Sequence, residues 1–197
     1  MRWYANPRRD VVPGSGGTPV NVDVGCDRAG SIRRAEPREA RLIAELHVRA
    51  WQAAYRGLLP DELLDGLSVT DREAMWRRKL AIGSRSHVWV AERGERMIGF
   101  AAVGPSRDGD TEASVAEVYA IYVESGVVGT GVGRILFKHA VDFLRGHGYG
   151  AAILWVLETN ARARRFYERA GWRPDGAMKT ELRQGWELKE VRYWTTL

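Results

Sequence analysis

Between Val115 and Arg145 the chain passes from β-branched and aromatic residues, through Gly129, Gly131 and Gly133, into a helical repeat, and this junction restricts the fold more than any other segment. Val118, Tyr119, Ile121, Tyr122 and Val123 read as a buried strand, whereas Leu136, Ala140, Phe143 and Leu144 fall on one face of a helix over 134–145. Glycines at such a turn let backbone N–H groups close on an anion, and the positive end of the helix dipole favours negative charge there. Two familiar phosphate loops do not fit. A dinucleotide fingerprint requires its third glycine three residues after the second, and Gly133 follows Gly131 by two; a P-loop requires Lys then Ser/Thr, and here Arg134 and Ile135 follow. Many strand-to-helix turns are glycine-rich for backbone geometry alone, so the sequence downstream has to decide.

Ala151–Leu157 is a second buried strand, and Asn160 is placed to cap a helix whose apolar stripe is Ala163, Phe166 and Ala170, with Gly171 as its stop. Taken with the glycine junction, the series Asn160-x-x-Ala163-x-x-Phe166-Tyr167-x-x-x-Gly171-Trp172 resembles the GNAT superfamily of acetyl-CoA-dependent N-acetyltransferases, over roughly residues 31–197. The resemblance implies an α/β domain with a mixed, mostly antiparallel sheet, splayed between its two central strands and flanked by helices. It implies acetyl-CoA as acyl donor and no metal. The family's pyrophosphate motif, Gln/Arg-x-x-Gly-x-Gly/Ala, falls on Val128-Gly129-Thr130-Gly131-Val132-Gly133, with Val128 departing from it at the first position. Backbone amides carry most of that cradle, so the departure bears on affinity and not on cofactor class. Carried over by position, the cofactor residues are Ile121, Tyr122, Val123, Gly129, Thr130, Gly131, Val132, Gly133, Arg134, Asn160 and Tyr167. Ile121 and Val123 would pair with the pantetheine arm between the splayed strands, and an N–H near Ile121 would polarise the thioester.

Acetyl transfer to an amine requires that the ammonium lose a proton, that the oxyanion meet a donor and that the leaving thiolate gain a proton. Glu117 lies eleven residues before Val128, the position of the general base in relatives that use a glutamate, and Tyr167 matches the tyrosine that protonates the leaving sulfur. A lone acid in an apolar strand is costly to bury without a task, although a salt-bridged structural role would also account for it. Strand alternation puts Glu117, Tyr119 and Ile121 on one face. Cys26 is a poor acyl-enzyme nucleophile, which leaves direct attack in a ternary complex.

Residues 1–30, interrupted by Pro13-Gly-Ser-Gly-Gly-Thr-Pro19, read as a disordered or loosely attached leader before a domain over 31–197. Ser31–Ala35 is a short first strand, followed by helical stretches over 36–56 and 61–82, a hairpin at 87–103, a polar loop over 104–113 and a terminal strand pair around 178–182 and 190–195. In the first helix Ile43, Leu46, Ala50 and Ala53 form the core stripe, and His47, Trp51 and Tyr55 a second stripe. In the family a helix so placed walls the acceptor pocket. Trp51, Tyr55, Tyr119, Trp155 and Glu158 are the substrate candidates, an aromatic and acidic lining that suits an apolar or cationic amine. The acceptor is then a small molecule such as a polyamine, an amino acid or an amine-bearing antibiotic. Protein N-termini and lysines are the alternative, and an idle acyl-CoA-binding module is the alternative of another class.

The net charge of +5 is carried by arginines interleaved with acids, without the aromatic-basic repeats of a nucleic-acid binder. Arginines do gather near the glycine junction, where a nucleotide's phosphates would lie. No apolar run reaches the roughly 18 residues of a membrane helix, and no secretory leader is evident. The expectation is a cytoplasmic monomer or homodimer. One cysteine gives no disulfide framework, and His47, His87, His139 and His147 lack zinc spacing.

Overall fold

A computed structural model describes residues 30–197. The leader expected over 1–30, Gly30 apart, and Cys26 with it, lie outside the described residues. The elements run β1 (Ser31–Arg34), a 3-10 turn (Pro37–Glu39), α1 (Ala40–Tyr55), α2 (Asp61–Asp65), α3 (Val69–Leu80), β2 (His87–Arg93), β3 (Arg96–Pro105) and β4 (Val115–Val123). A second 3-10 turn (Ser125–Val127) leads to α4 (Val132–Gly146), β5 (Ala151–Leu157), α5 (Ala161–Arg169), β6 (Arg173–Arg183) and β7 (Trp186–Thr196). The seven strands form one sheet in the order β1-β2-β3-β4-β5-β7-β6. Only the β4–β5 pair is parallel.

The unbroken apolar run of β3 follows from burial on both faces. Phe100 and Ala102 pack with Ile43, Leu46 and Trp76 of α1 and α3, while Ala101 and Val103 pack with Leu136, Ala140 and Leu144 of α4. Several boundaries differ from the sequence reading. The helix expected over 61–82 is broken, because Gly66 ends α2 and the Ser68 hydroxyl accepts from the Asp71 amide (3.1 Å) to start α3. The strand expected to end at Val103 continues to Pro105, and α4 begins at Val132, which puts Gly133 inside its first turn. Gln184 and Gly185, both at positive φ (49° and 87°), close the β6–β7 hairpin, whose strands are longer than expected.

Two features of β4 position everything that follows. Its register with β3 slips by one residue, since Ala102 faces Ala120 and Val103 faces Val118, leaving Tyr119 as a bulge. The bulge resets the alternation. Glu117 and Tyr119 share their face with Ala120 and Tyr122, whereas Ile121 turns to the α4 side, contrary to the even spacing that grouped it with Glu117. Gly104 makes room for this: a Cβ there would sit 2.5 Å from the Tyr119 hydroxyl, which donates to the Pro105 carbonyl at 2.6 Å. The second feature is the splay. Pairing of β4 with β5 stops at Val118–Leu154, while β5 stays paired to β7 as far as Leu157, so Tyr119–Val123 have β3 on one side and no strand on the other.

Candidate active site

On the α4 side, the unpaired stretch of β4 leads through the 3-10 turn into the glycines. Gly129 and Gly131 take positive φ (83° and 97°), and Gly131 is the N-cap of α4 without any side-chain cap. Among the described residues, the amides of Gly129, Gly131, Val132 and Gly133 have no acceptor, whereas Arg134 and Ile135 already donate to the Gly131 carbonyl. A Cβ on Gly129 or Gly131 would meet open space. The Thr130 hydroxyl donates to the Val127 carbonyl (2.7 Å) and pins the turn. Asn160 caps α5 as its position implied, its side-chain oxygen accepting from the Ala163 amide (3.0 Å).

On the opposite side, a cavity of about 800 Å³, open mouth included, lies beneath β4 between α1, α3 and the β6–β7 hairpin. Trp51, Tyr55, Tyr119, Trp155 and Glu117 all line it, joined by the side chain of Tyr122. Trp51 donates its indole N–H to the Tyr122 hydroxyl (2.7 Å), and Tyr55 stands 3.5 Å from the same oxygen. Burial pushes the phenols of Tyr55 and Tyr122 up, so both stay neutral. Glu158 does not line the cavity. It follows the end of β5, its amide held by Lys189 and its carbonyl by Arg164, and the carboxylate that reaches the cavity from this side is Glu190. Tyr167, on α5, packs against Phe137 and Phe166, and its hydroxyl has no hydrogen-bond partner among the described residues. Burial first, then the nearby Tyr122, pushes its phenol well up, which keeps the proton on oxygen at neutral pH.

Glu117 is almost fully buried, and its carboxylate is gripped by Arg107. The Arg107 backbone amide and Nε donate to Oε2 (3.1 and 2.9 Å) and Nη2 donates to Oε1. Burial works against the guanidinium's charge, and the carboxylate more than offsets it. The loop that carries Arg107 is held from outside by Arg192, which binds Asp108 and Asp110 together with Asp175 at the start of β6.

Sequence reasoning missed most of the charge in this cavity. Arg72, Lys79, Arg107, Lys179 and Arg183 all line it, against two carboxylates, Glu117 and Glu190. A signal existed for the first two. Arg72, Met75, Trp76 and Lys79 recur at i, i+3, i+4 and i+7, so two cations interrupt the apolar stripe of α3. These cations occupy the aromatic wall: Arg72 and Arg183 lie 5.1 and 5.0 Å from the Trp51 ring centroid, Lys79 and Arg107 4.5 and 4.4 Å from Tyr119, and Lys179 and Arg192 4.2 and 5.6 Å from Trp155. Of the four rings expected to receive a cationic amine, Trp51, Tyr119 and Trp155 each carry two of the protein's own cations. Among the described residues no cluster of His, Cys, Asp and Glu is arranged to hold a metal, and no helix is long and apolar enough to cross a membrane.

The sequence profile of the acetyltransferase (GNAT) family matches residues 35–172. Among curated relatives, the uncharacterized N-acetyltransferase YuaI of Bacillus subtilis is 33% identical over 132 residues, 66% of this chain and 73% of its own. Among solved structures, the PaiA N-acetyltransferase of Thermoplasma acidophilum in complex with coenzyme A superposes with a TM-score of 0.62 at 17% identity, covering 84% of this chain and 98% of that one. The ribosomal-protein-alanine N-acetyltransferase of Brucella melitensis gives 0.66 at 21% identity, covering 84% and 99%. At these identities the structural likeness speaks for the fold alone. The chain belongs to the acetyltransferase (GNAT) family and is an acetyltransferase.

Proposed function

Proceeding from that membership, we propose that this enzyme transfers the acetyl group of acetyl-CoA to the primary amine of a small molecule by direct attack within a ternary complex. The observation that carries the reading is the unpaired stretch of β4, which runs from the cavity at Tyr119 to the glycine turn beyond Val123. Both ends fit what the cofactor needs. Four amides without acceptors and a helix N-terminus suit a pyrophosphate, and an open strand edge at Ile121–Val123 suits the amides of a pantetheine arm. Arg134 adds positive charge at the turn, and Asn160 keeps its side-chain N–H groups free while its oxygen caps α5.

When bound, acetyl-CoA supplies a thioester whose carbonyl carbon accepts the amine's electron pair as the carbon–sulfur bond breaks. Tyr167, protonated and without another partner for its hydroxyl, holds the proton that a leaving thiolate takes. Glu117 accepts the proton that the ammonium must lose, through a water. Three of its roughly four lone-pair sites are occupied by Arg107, which leaves one for this task. The same grip favours a second reading, in which Glu117 only anchors the 106–114 loop. In that reading Lys79 is the proton acceptor, since burial and then Arg107 lower its ammonium from 10.5 to about 8.

The test is release of free thiol from acetyl-CoA across a panel of amines, amino acids and short peptides, with the acetylated product identified by mass. Thiol release with a small amine, lost in Tyr167→Phe, is the expected result. Acetyl-CoA binding without turnover on any amine would overturn transfer and leave a binding module, and turnover on peptides alone would move the acceptor to protein N-termini. Glu117→Gln separates the two bases. A falling rate with acetyl-CoA affinity kept assigns the carboxylate, and an unchanged rate assigns it to the loop.

A further inference from the structure

We infer that the acceptor carries an anionic group, a carboxylate or a phosphate, beside its amine, and that Arg72 and Lys79 hold that group in the cavity. The inference rests on the acetyl-transfer reading above and narrows its substrate. The lining carries five cations, and both of its carboxylates are already committed: Glu117 to Arg107, and Glu190 to Lys179 at 3.3 Å. Arg183 is paired with Glu181 at 2.7 Å. Among the described residues no carboxylate lies within ion-pair distance of Arg72 or Lys79, and both are half-buried. Cations withdrawn from water without a counter-charge are costly to keep, and the cost falls when a ligand supplies that charge.

Three further observations point the same way. Arg72 and Arg183 share the Trp51 ring, and Lys79 and Arg107 share that of Tyr119, so the π faces that would attract a ligand's cation are in use. His47, on the cavity wall, is driven well below its ordinary range first by burial and then by Arg72, Arg183 and Lys79, as a wall that gathers cations requires. None of the residues 128–134 lines the cavity, so the cofactor's pyrophosphate, as placed above, does not supply the missing negative charge. The cluster has a chemical consequence as well. A positive field binds the anionic end of an acceptor while disfavouring its ammonium, which moves the amine toward the neutral form that attacks.

The experiment compares acceptors that differ only in the anion: tyrosine with tyramine, arginine with agmatine, lysine with cadaverine, and O-phosphoethanolamine with ethanolamine. A charge-assisted contact corresponds to a gain of about 10–100-fold in kcat/KM for the anionic member of a pair. Preference confined to the first three pairs identifies a carboxylate, and preference confined to the last a phosphate monoester. Arg72→Met and Lys79→Met should bring the ratio within a pair toward one. Pairs matched to within twofold in the wild-type enzyme, or a preference for the amine without the anion, would overturn the proposal. Calorimetric titration of tyrosine and tyramine into the protein without cofactor keeps it separate from acetyl transfer. Tighter binding of tyrosine, or of O-phosphoethanolamine over ethanolamine, sustains the anion site even if no amine is acetylated; weaker or equal binding of both anions rejects it even if one is.

Discussion

On the α4 side of β4 the surface offered to a ligand is backbone, four free amides within five consecutive residues, while on the α1 side it is a set of side chains gathered from α1, α3, the 106–114 loop, β4, β5, β6 and β7. A backbone site is carried by φ, ψ and the absence of Cβ atoms, so it tolerates a change such as Val128, whose side chain is 40% exposed. The cavity is carried by which charges meet. A single substitution there would change which ligand is favoured, so under the proposed assignment the first site would fix what kind of cofactor the protein takes and the second would tune what it acts on.

The sharpest way to break this division is Tyr167→Phe, because Tyr167 belongs to α5 yet stands close enough to Tyr122 for their phenols to interact. The ring that packs on Phe137 and Phe166 is kept and only a hydroxyl without a partner is lost. Turnover should fall by roughly 10²–10⁴-fold, with acetyl-CoA affinity and melting temperature unchanged. Wild-type turnover would assign the residue to packing.

The two sites differ equally in how far they could be read from the residues. Gly129, Gly131 and the Asn160 cap are local features, and local spacing carries them into the structure, with only Gly133 drawn into the first turn of α4. The splay and the aromatic members of the cavity were legible through the family likeness. Two things were not. The Tyr119 bulge depends on Gly104 and on the β3 register, and it reverses the facing of Ile121 relative to Glu117. The cation excess depends on a crossing of distant elements, since Arg107 reaches Glu117 from a loop that read only as polar, and Arg183 comes from a hairpin at the far end of the chain. Glu158 was misplaced because the end of β5 turns away into α5 before its side chain can face the cavity.

Gly133→Asp sharpens the backbone half of the comparison. Gly133 lies in the first turn of α4, where φ is not positive and an added Cβ meets only Val123 at 3.8 Å. A carboxylate there complements the helix dipole and favours the fold by about 0.3–1 kcal/mol, while opposing a pyrophosphate at the same amides. Melting temperature should hold or rise as the acetyl-CoA dissociation constant increases at least about tenfold. Unchanged affinity would mean that the turn is only structural.

Lys79 supplies a smaller effect on the cavity half. Its ammonium, held to about 8 by burial and then by Arg107, faces Arg107, Glu117, Tyr119 and His47. It is charged below that pH and neutral above it. Affinity for an anion that carries no amine, such as N-acetyltyrosine, should fall several-fold between pH 7 and 9, by about tenfold at most, because the charged fraction of a group that titrates at about 8 drops from about nine-tenths to about one-tenth over that range. Lys79→Arg, charged throughout, should flatten the profile. A wild-type curve without this decline would remove Lys79 from the anion site.

The smallest effect concerns His47, which joins the cavity wall to the core. Trp76 can only donate, and its indole N–H meets His47 Nδ1 at 3.2 Å, so a neutral ring there carries its proton on Nε2. Burial, reinforced by Arg72, Arg183 and Lys79, holds the folded imidazole well below its ordinary 6.5. The unfolded chain therefore binds a proton below pH 6.5 that the folded chain refuses, and stability must fall as pH drops from about 6.5 toward the folded value, by at most about 1.4 kcal/mol per pH unit. His47→Gln keeps an acceptor for Trp76 but cannot titrate. Its absolute stability should be lower, because ring contacts with Trp51, Phe100 and Tyr122 are lost, yet its denaturant-melting curve should be flatter with pH on the acid side. His87 and His139, both lowered chiefly by burial, leave a residual slope in either protein. If wild type and variant lose stability in parallel between pH 7 and 5, His47 accepts its proton without unfolding, and the positive field ascribed to the cavity is too weak to exclude it.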